Sequence, residues 1–241
     1  MLLAYFINNQ SVKIAINPMH FIAIQNTYEA IELAVCHQTT IIDRTHIAKE
    51  QASKLIIIEL EQLLRRNNLQ LSDCSFIAAN QGPGPFTTLR VVITTVNALS
   101  FATKIPLIGI NGLEAILKEH ASSDYPFSIA LLNAFNHDVY FGIAQAGIMV
   151  QDGYDNGQHF LQELRQNFPD TPLHFIGNAI PLYQKEIQTL FGNLALFKEP
   201  IPQTCSLAQI ATLGWHAWQE RQHICFQLMP LYLKPFSAVM R

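Results

Sequence analysis

The same run of elements comes round twice in this chain, and that repetition narrows its folds more than any other feature. Three segments rich in β-branched residues, FIAIQ (21–25), AIELAVC (30–36) and TTIID (39–43), are joined by brief polar links and predict an antiparallel meander. A helix is expected over 49–66, a strand over 75–80, a helix over 86–103, a buried strand over 105–110, and then a helix that Asn111 can cap. After the linker ASSDYP (121–126) the pattern restarts with strands at 127–134, 139–144 and 148–151. A helix near 159–167, a strand at 173–176 and a helix near 182–190 follow. A helix over 206–220, capped by Thr204 or Ser206, and a short strand in PLYLKP (230–235) close the chain. Two halves that each open on antiparallel strands and continue into α/β predict a duplicated, two-lobed α/β protein. The expected division is an N-terminal extension at 1–18, a first lobe at 19–122 and a second at 123–241.

Composition excludes several classes. At 241 residues, 49% hydrophobic and 14% charged, the chain can bury a sizeable core. A net charge of −3 offers no footprint for direct binding of nucleic acid or a membrane surface. The four cysteines make no CxxC pair, and the nine histidines make no HExxH and no close pair at metal-ligand spacing. Reduced, buried thiols and no metal are expected. MLLAYFI at the start is too short for a membrane span, and no other uninterrupted apolar stretch approaches that length. A soluble, cytoplasmic protein is therefore expected.

Two helices carry more apolar surface than one core needs. At about 100° per residue, 49–66 places Ala52, Ile56, Ile57, Leu60, Leu63 and Leu64 on one stripe. Leu55 and Ile58 fall off it, among Gln51, Lys54, Glu61, Gln62 and Arg65. In the helix at 86–103, Arg90 is the sole charge; Phe86, Leu89, Val92, Ile93, Val96 and Leu99 form the core stripe, with Val91 and Ala98 nearly opposite. A partner interface follows as the expectation, with Leu55, Ile58, Gln62, Val91, Thr95 and Ala98 as its candidate residues. Composition does not choose between a homodimer and a heterodimer.

Between these helices lies NQGPGPFTTLR (80–90), a glycine-rich turn before a helix, where phosphates are often held. A phosphate cradle needs converging backbone N–H groups, and Pro83 and Pro85 remove two of them. Thr88 stands where close approach favours glycine, no Lys follows, and no GxGxxG is present. A rigid strand-to-helix connection is the better reading, with Gly82 and Gly84 supplying unusual φ and Pro85 near the helix start.

QGPGPFTTLR resembles the GPGSFTGLR signature of the bacterial TsaB (YeaZ) proteins, with Gly82, Pro83, Gly84, Phe86, Thr87 and Arg90 as the matching positions. FIAIQNTYEAIELAV is similar to that family's first hairpin, KLIIIELEQLL to its first long helix, and IPLIGINGLEAI to the strand and helix that follow. ALLNAFNHDVYFGI, SLAQIATLGWHAW and LYLKP resemble its later segments, so the likeness covers residues 19–234. The resemblance implies an actin-like fold. It also implies a non-catalytic scaffold in the complex that forms threonylcarbamoyladenosine at position 37 of tRNAs reading ANN codons. In that family the protein pairs with the catalytic homologue TsaD through its first two long helices, and the ATPase TsaE joins the assembly.

Departures from the family pattern are informative. Gln25 and Asn26 stand where an aspartate of AIDT is expected, Asn133 where the aspartate of a DAR motif is expected, and Phe135 replaces that motif's arginine. Pro85 and Thr88 alter the loop. Amides lack the anionic oxygens that Mg²⁺ prefers, so no nucleotide, metal or catalytic residue is expected. Residues 1–18 precede the usual family start and are either an added strand or an upstream extension. Two alternatives stand beside the scaffold: a degenerate actin-like protein that homodimerises or binds another protein, and an ATP-dependent transferase or peptidase of the same superfamily. The second requires carboxylates at the strand ends, and the chain has no GxSxG elbow for a serine hydrolase.

Overall fold

Near-continuous apolar strands such as β1, HFIAIQN, must be covered on both faces, and this dictates a layered molecule. The computed structural model describes residues 19–122, 124–197 and 199–234. In it β1 (His20–Asn26), β2 (Ala30–His37) and β3 (Thr40–Ala48) form an antiparallel meander. β4 (Cys74–Asn80) lies parallel to β1, and β5 (Leu107–Ile110) parallel to β4. The second sheet repeats this plan: β6 (Phe127–Asn133), β7 (Asp138–Gln145) and β8 (Ile148–Asn156) make a meander. β9 (Leu173–Ile176) then runs parallel to β6, and β10 (Ala195–Leu196) parallel to β9. The orders β3-β2-β1-β4-β5 and β8-β7-β6-β9-β10 are the duplicated two-lobed α/β arrangement that the element order predicts. β11 (Ile224–Cys225) then returns to the first sheet, antiparallel to β5.

Among the described residues six α-helices fill three layers around the sheets. α1 (Ala52–Arg66) and α2 (Phe86–Thr103) cover the outer face of the first sheet, closing a cluster that includes Ile22, Ile24, Leu63, Leu89 and Val96. α4 (Gly157–Asn167) and α5 (Ile180–Phe191) cover the second, around Ile129, Phe160, Leu164 and Phe175. α3 (Gly112–Glu119) and α6 (Leu207–Gln219) lie between the sheets with Phe21, Phe76, Ala130, Leu132 and Ile176. α3 packs on β6, β7 and β8, whereas α6 packs on β1, β4 and β5. Each half thus supplies the helix that seals the inner face of the other, and the two lobes share one core.

Local chemistry accounts for most element ends. Asn111 caps α3 through its side-chain oxygen, which accepts from the N–H groups of Leu113 and Glu114. Ser206 rather than Thr204 caps α6, accepting from Gln209 N at 3.0 Å. Residues Lys49–Gln51 form a 3₁₀ turn before α1. The strands expected at 39–43 and 148–151 are longer, because each continues its hairpin pairing to Ala48 and Asn156. The strand expected in PLYLKP does not form over the described residues 230–234; β11 lies earlier, and the chain beyond it is held to α2 by side chains. Asn97 makes two bonds of that attachment, donating from Nδ2 to Leu228 O at 2.9 Å and accepting at Oδ1 from Leu228 N at 2.8 Å, and the Ser100 hydroxyl adds a third to Phe226 O at 3.2 Å.

Among the described residues α2 alone has the length and mean hydropathy of a membrane span, though Arg90, Asn97 and its threonines interrupt its apolar run. Thr88, Leu89, Val92, Ile93, Val96 and Ser100 of this helix are buried in the protein. Cys36, Cys74 and Cys205 are buried, Cys225 is half-buried, and all four are free thiols. Burial pushes the thiols of Cys36, Cys74 and Cys205 up to about 12, so they stay protonated. The expected extension at 1–18, with its strand at 11–16, and the boundary residue 123 lie outside the described residues.

Candidate functional site

The glycine-rich turn is knitted into the protein. Asn80, the last residue of β4, accepts from Gly82 N at Oδ1 (2.8 Å), and Gly82 O accepts from Gly112 N (2.7 Å). Pro85 caps α2 with its carbonyl, which accepts from Leu89 N at 3.0 Å and from the Thr88 hydroxyl at 3.2 Å. Pro83 and Pro85 thus remove two donors of the turn, and the Gly82 N–H is turned inward to Asn80. Gly82 has φ +107°, and a Cβ there would lie 3.0 Å from Leu89 Cδ2 and 3.1 Å from Leu231 O. Gly84 does not have the positive φ expected of it. Its one tight contact is with a side-chain end, since a Cβ there would meet Asn26 Nδ2 at 3.0 Å.

Thr87 is exposed. Phe86, expected in the core, is 42% exposed: as the first residue of α2 it packs sideways on Tyr232, ring centroids 5.5 Å apart. Arg90 sits over the Phe86 ring at 5.0 Å, which gives the one charge of α2 its partner.

The strand ends carry three amides, and two of them, Gln25 and Asn133, are engaged in structure. Gln25, fully buried, donates from Nε2 to Cys205 O, and the Cys205 thiol donates back to Gln25 Oε1 at 3.4 Å. Asn26 is also buried, and among the described residues neither Oδ1 nor Nδ2 has a hydrogen-bond partner. Asn133 accepts from Phe135 N at Oδ1 (2.8 Å) and from the Tyr28 hydroxyl at its backbone oxygen (2.7 Å). Burial raises the Tyr28 hydroxyl pKa, so it remains a donor across the lobes. These three amides supply no anionic oxygen, and the residues present do not fit a Mg²⁺-nucleotide.

Two features escaped the sequence reading. Phe135, Asn136 and His137 are consecutive left-handed residues, φ 59°, 54° and 64°, beside a cleft of about 760 Å³ that also includes Tyr183 and Glu186. Asp155, His159 and Glu163 sit at i, i+4 and i+8 with their ligand atoms within 4.8 Å of one another. His159 Nδ1 lies 2.6 Å from Asp155 and Nε2 3.8 Å from Glu163. The Asp155 hydrogen bond raises the His159 pKa, and with a carboxylate at each nitrogen this is the setting of an imidazolium.

The helix pair presents exposed apolar surface, though not at every expected residue. Ile58 is 47% exposed, Gln62 and Ala98 are exposed, and Thr95 is half-buried. Leu55 and Val91 instead pack against the core cluster of the first sheet. Ile57, expected in that core, is 50% exposed. At 100° per residue Leu55 and Ile57 flank the stripe by about 90–110° on opposite sides, so the helix alone cannot rank them. The tertiary packing does: Ile57 borders an open groove of about 330 Å³ that it shares with Leu60, Leu64, Leu69, Leu71 and Leu99.

Comparison with known proteins agrees with this geometry. The family model for TsaD, tRNA N6-adenosine threonylcarbamoyltransferase, matches residues 38–237. The TsaB protein of Bacillus subtilis is 23% identical over 227 residues, covering 91% of this chain and 96% of that protein. This chain belongs to the TsaB/YeaZ family. TsaB of Buchnera aphidicola (Schizaphis graminum) is 28% identical over 123 residues, half of this chain, and the match spans 58% of that relative's length. YeaZ from Pseudomonas aeruginosa has a TM-score of 0.68 at 21% identity, over 89% of this chain and all of that one. The two-lobed architecture of this TsaB-family chain is thus the actin-like fold.

Proposed function

We propose that this TsaB-family protein is a non-catalytic subunit of the complex that forms threonylcarbamoyladenosine at position 37 of tRNA, and that it docks a TsaD-like transferase on α1 and α2. The observation that carries the reading is the outer face of that pair, where Ile57, Ile58 and Ala98 stand exposed beside an apolar groove. Such side chains cost nothing in the isolated lobe and gain only when a partner removes them from water. The strand ends support the non-catalytic part, since Gln25 and Asn133 are committed to structural bonds and Asn26 carries no charge. A TsaE-like ATPase reaches the protein through the complex. The net charge of −3 favours a protein contact over direct contact with tRNA. By docking, the chain would select the transferase conformation that fits α1 and α2, and activation follows from that population shift.

Calorimetry of the purified chain with the transferase subunit of the same organism tests this. Ile58→Asp and Ala98→Asp should each weaken binding at least about tenfold, while the melting temperature barely moves. Wild-type affinity in both variants would remove the docking reading. Titration of the isolated chain with Mg-ATP should show no micromolar binding; a clear micromolar isotherm would overturn the non-catalytic one.

A further inference from the structure

The described chain from β11 to Lys234 lies along α2 as a strap, and its outward surface is largely apolar. Phe226, Met229 and Tyr232 point outward at three-residue intervals, 60%, 70% and 49% exposed, while Leu228 between them is buried in the core of the first sheet. Phe101 of α2, 80% exposed, and Phe86 add to the strip. Four bonds hold the strap rigid against the lobe. Two are the Asn97 bonds to Leu228; the Ser100 hydroxyl donates to Phe226 O at 3.2 Å, and Leu231 N donates to Gln81 O at 2.7 Å. A surface ordered in this way loses little conformational entropy when it is covered.

Charge then says what covers it. α2 with its C-cap Lys104 and the strap from Ile224 to Lys234 contain Arg90, Lys104 and Lys234 and no Asp or Glu, in a chain whose net charge is −3. Lys234 is paired with Asp138 at 2.8 Å. Arg90 and Lys104 each sit over an aromatic ring of the strip, Phe86 and Phe101, and among the described residues neither is paired with a carboxylate. The strip is therefore apolar along its length with uncompensated cations at its two ends.

Resting on the transferase-docking reading, we infer that the docking face continues from α1 and α2 across the strap. There it takes a partner segment whose apolar side chains are bordered by carboxylates. Apolar contact supplies the affinity, and the carboxylates meeting Arg90 and Lys104 fix register and speed association.

The test measures binding of the purified transferase subunit to the wild-type chain and to Met229→Asp, Arg90→Glu and Ile58→Asp, at low and high salt. Met229→Asp should weaken binding about tenfold or more. Arg90→Glu should weaken it mainly at low salt and flatten the salt dependence. Thermal melts should match wild type, because both side chains are exposed. If Ile58→Asp abolishes binding while Met229→Asp and Arg90→Glu bind normally, the strap is bare, the inference fails and the docking reading stands. If all three bind normally, both fail. If Met229→Asp disrupts only self-association, the strip is a contact between copies of this chain, which also overturns the inference.

Discussion

Replacing each glycine of the GPG turn by alanine separates its two roles. At Gly82 the backbone sits at φ +107°, outside the regions an L-residue favours, and holding alanine there costs about 1–3 kcal/mol. The new Cβ would also press on Leu89, itself 1% exposed, and on a fixed carbonyl of the strap, at 3.0 and 3.1 Å. Neither can withdraw without moving α2 or the strap. Together these give about 3 kcal/mol, and at about 2–4 °C per kcal/mol for a domain of this size the melting temperature should fall by about 6–12 °C. At Gly84 φ is not positive, and the sole tight contact is the end of the Asn26 side chain at 3.0 Å, which has no hydrogen bond to lose. Loss of unfolded-state freedom offsets about 0.4–1 kcal/mol, so Gly84→Ala should stay within about 1 kcal/mol of wild type. Thermal and urea unfolding measured side by side decide it. The reasoning is refuted if Gly84→Ala is as destabilising as Gly82→Ala, or if Gly82→Ala unfolds like wild type. Transferase binding should follow the same ranking, because the turn sets where α2 begins.

The two flanks of α1 should respond differently to charge. Leu55→Asp places a carboxylate against the core and should cost about 2–3 kcal/mol in urea unfolding, whereas Ile58→Asp should cost less than about 1 kcal/mol. The Arg66 hydrogen bond, aided by Asn67 and Arg44 N, lowers the Asp43 pKa from 3.8 to about 2. A lowered carboxylate pKa stabilises the fold above the unfolded value and is lost as pH falls through the folded one. The deficit of Asp43→Asn in urea midpoint should thus be full near neutrality and vanish between about pH 4 and pH 2, at no more than about 1 kcal/mol because the pair is partly exposed. A thiol reagent should modify Cys225 first in the native protein and reach Cys36, Cys74 and Cys205 only on unfolding; early labelling of Cys205 would contradict its burial against Gln25.

What the sequence by itself determined is the set of properties that depend on near neighbours. The order of strands and helices, the caps at Asn111 and Ser206, the launch of α2 at Pro85 and the amides at strand ends are all written in residues a few positions apart. The four-residue spacing of Asp155, His159 and Glu163 is written in the sequence too, but Asp155 lies in the strand β8 while the other two lie in α4, so only the fold shows that they meet. Only the tertiary structure decided between Leu55 and Ile57. Both lie equally far from the α1 stripe, and which is covered depends on a groove bordered by Leu69, Leu71 and Leu99. It alone showed α3 and α6 crossing to seal opposite sheets, because periodicity gives a helix an apolar face but not the sheet that receives it. The strap is the clearest case. PLYLKP has the composition of a strand, yet Leu231 N donates to Gln81 O and the residues just before it are tied to Asn97, more than a hundred residues upstream, which leaves the rings of Phe226 and Tyr232 exposed.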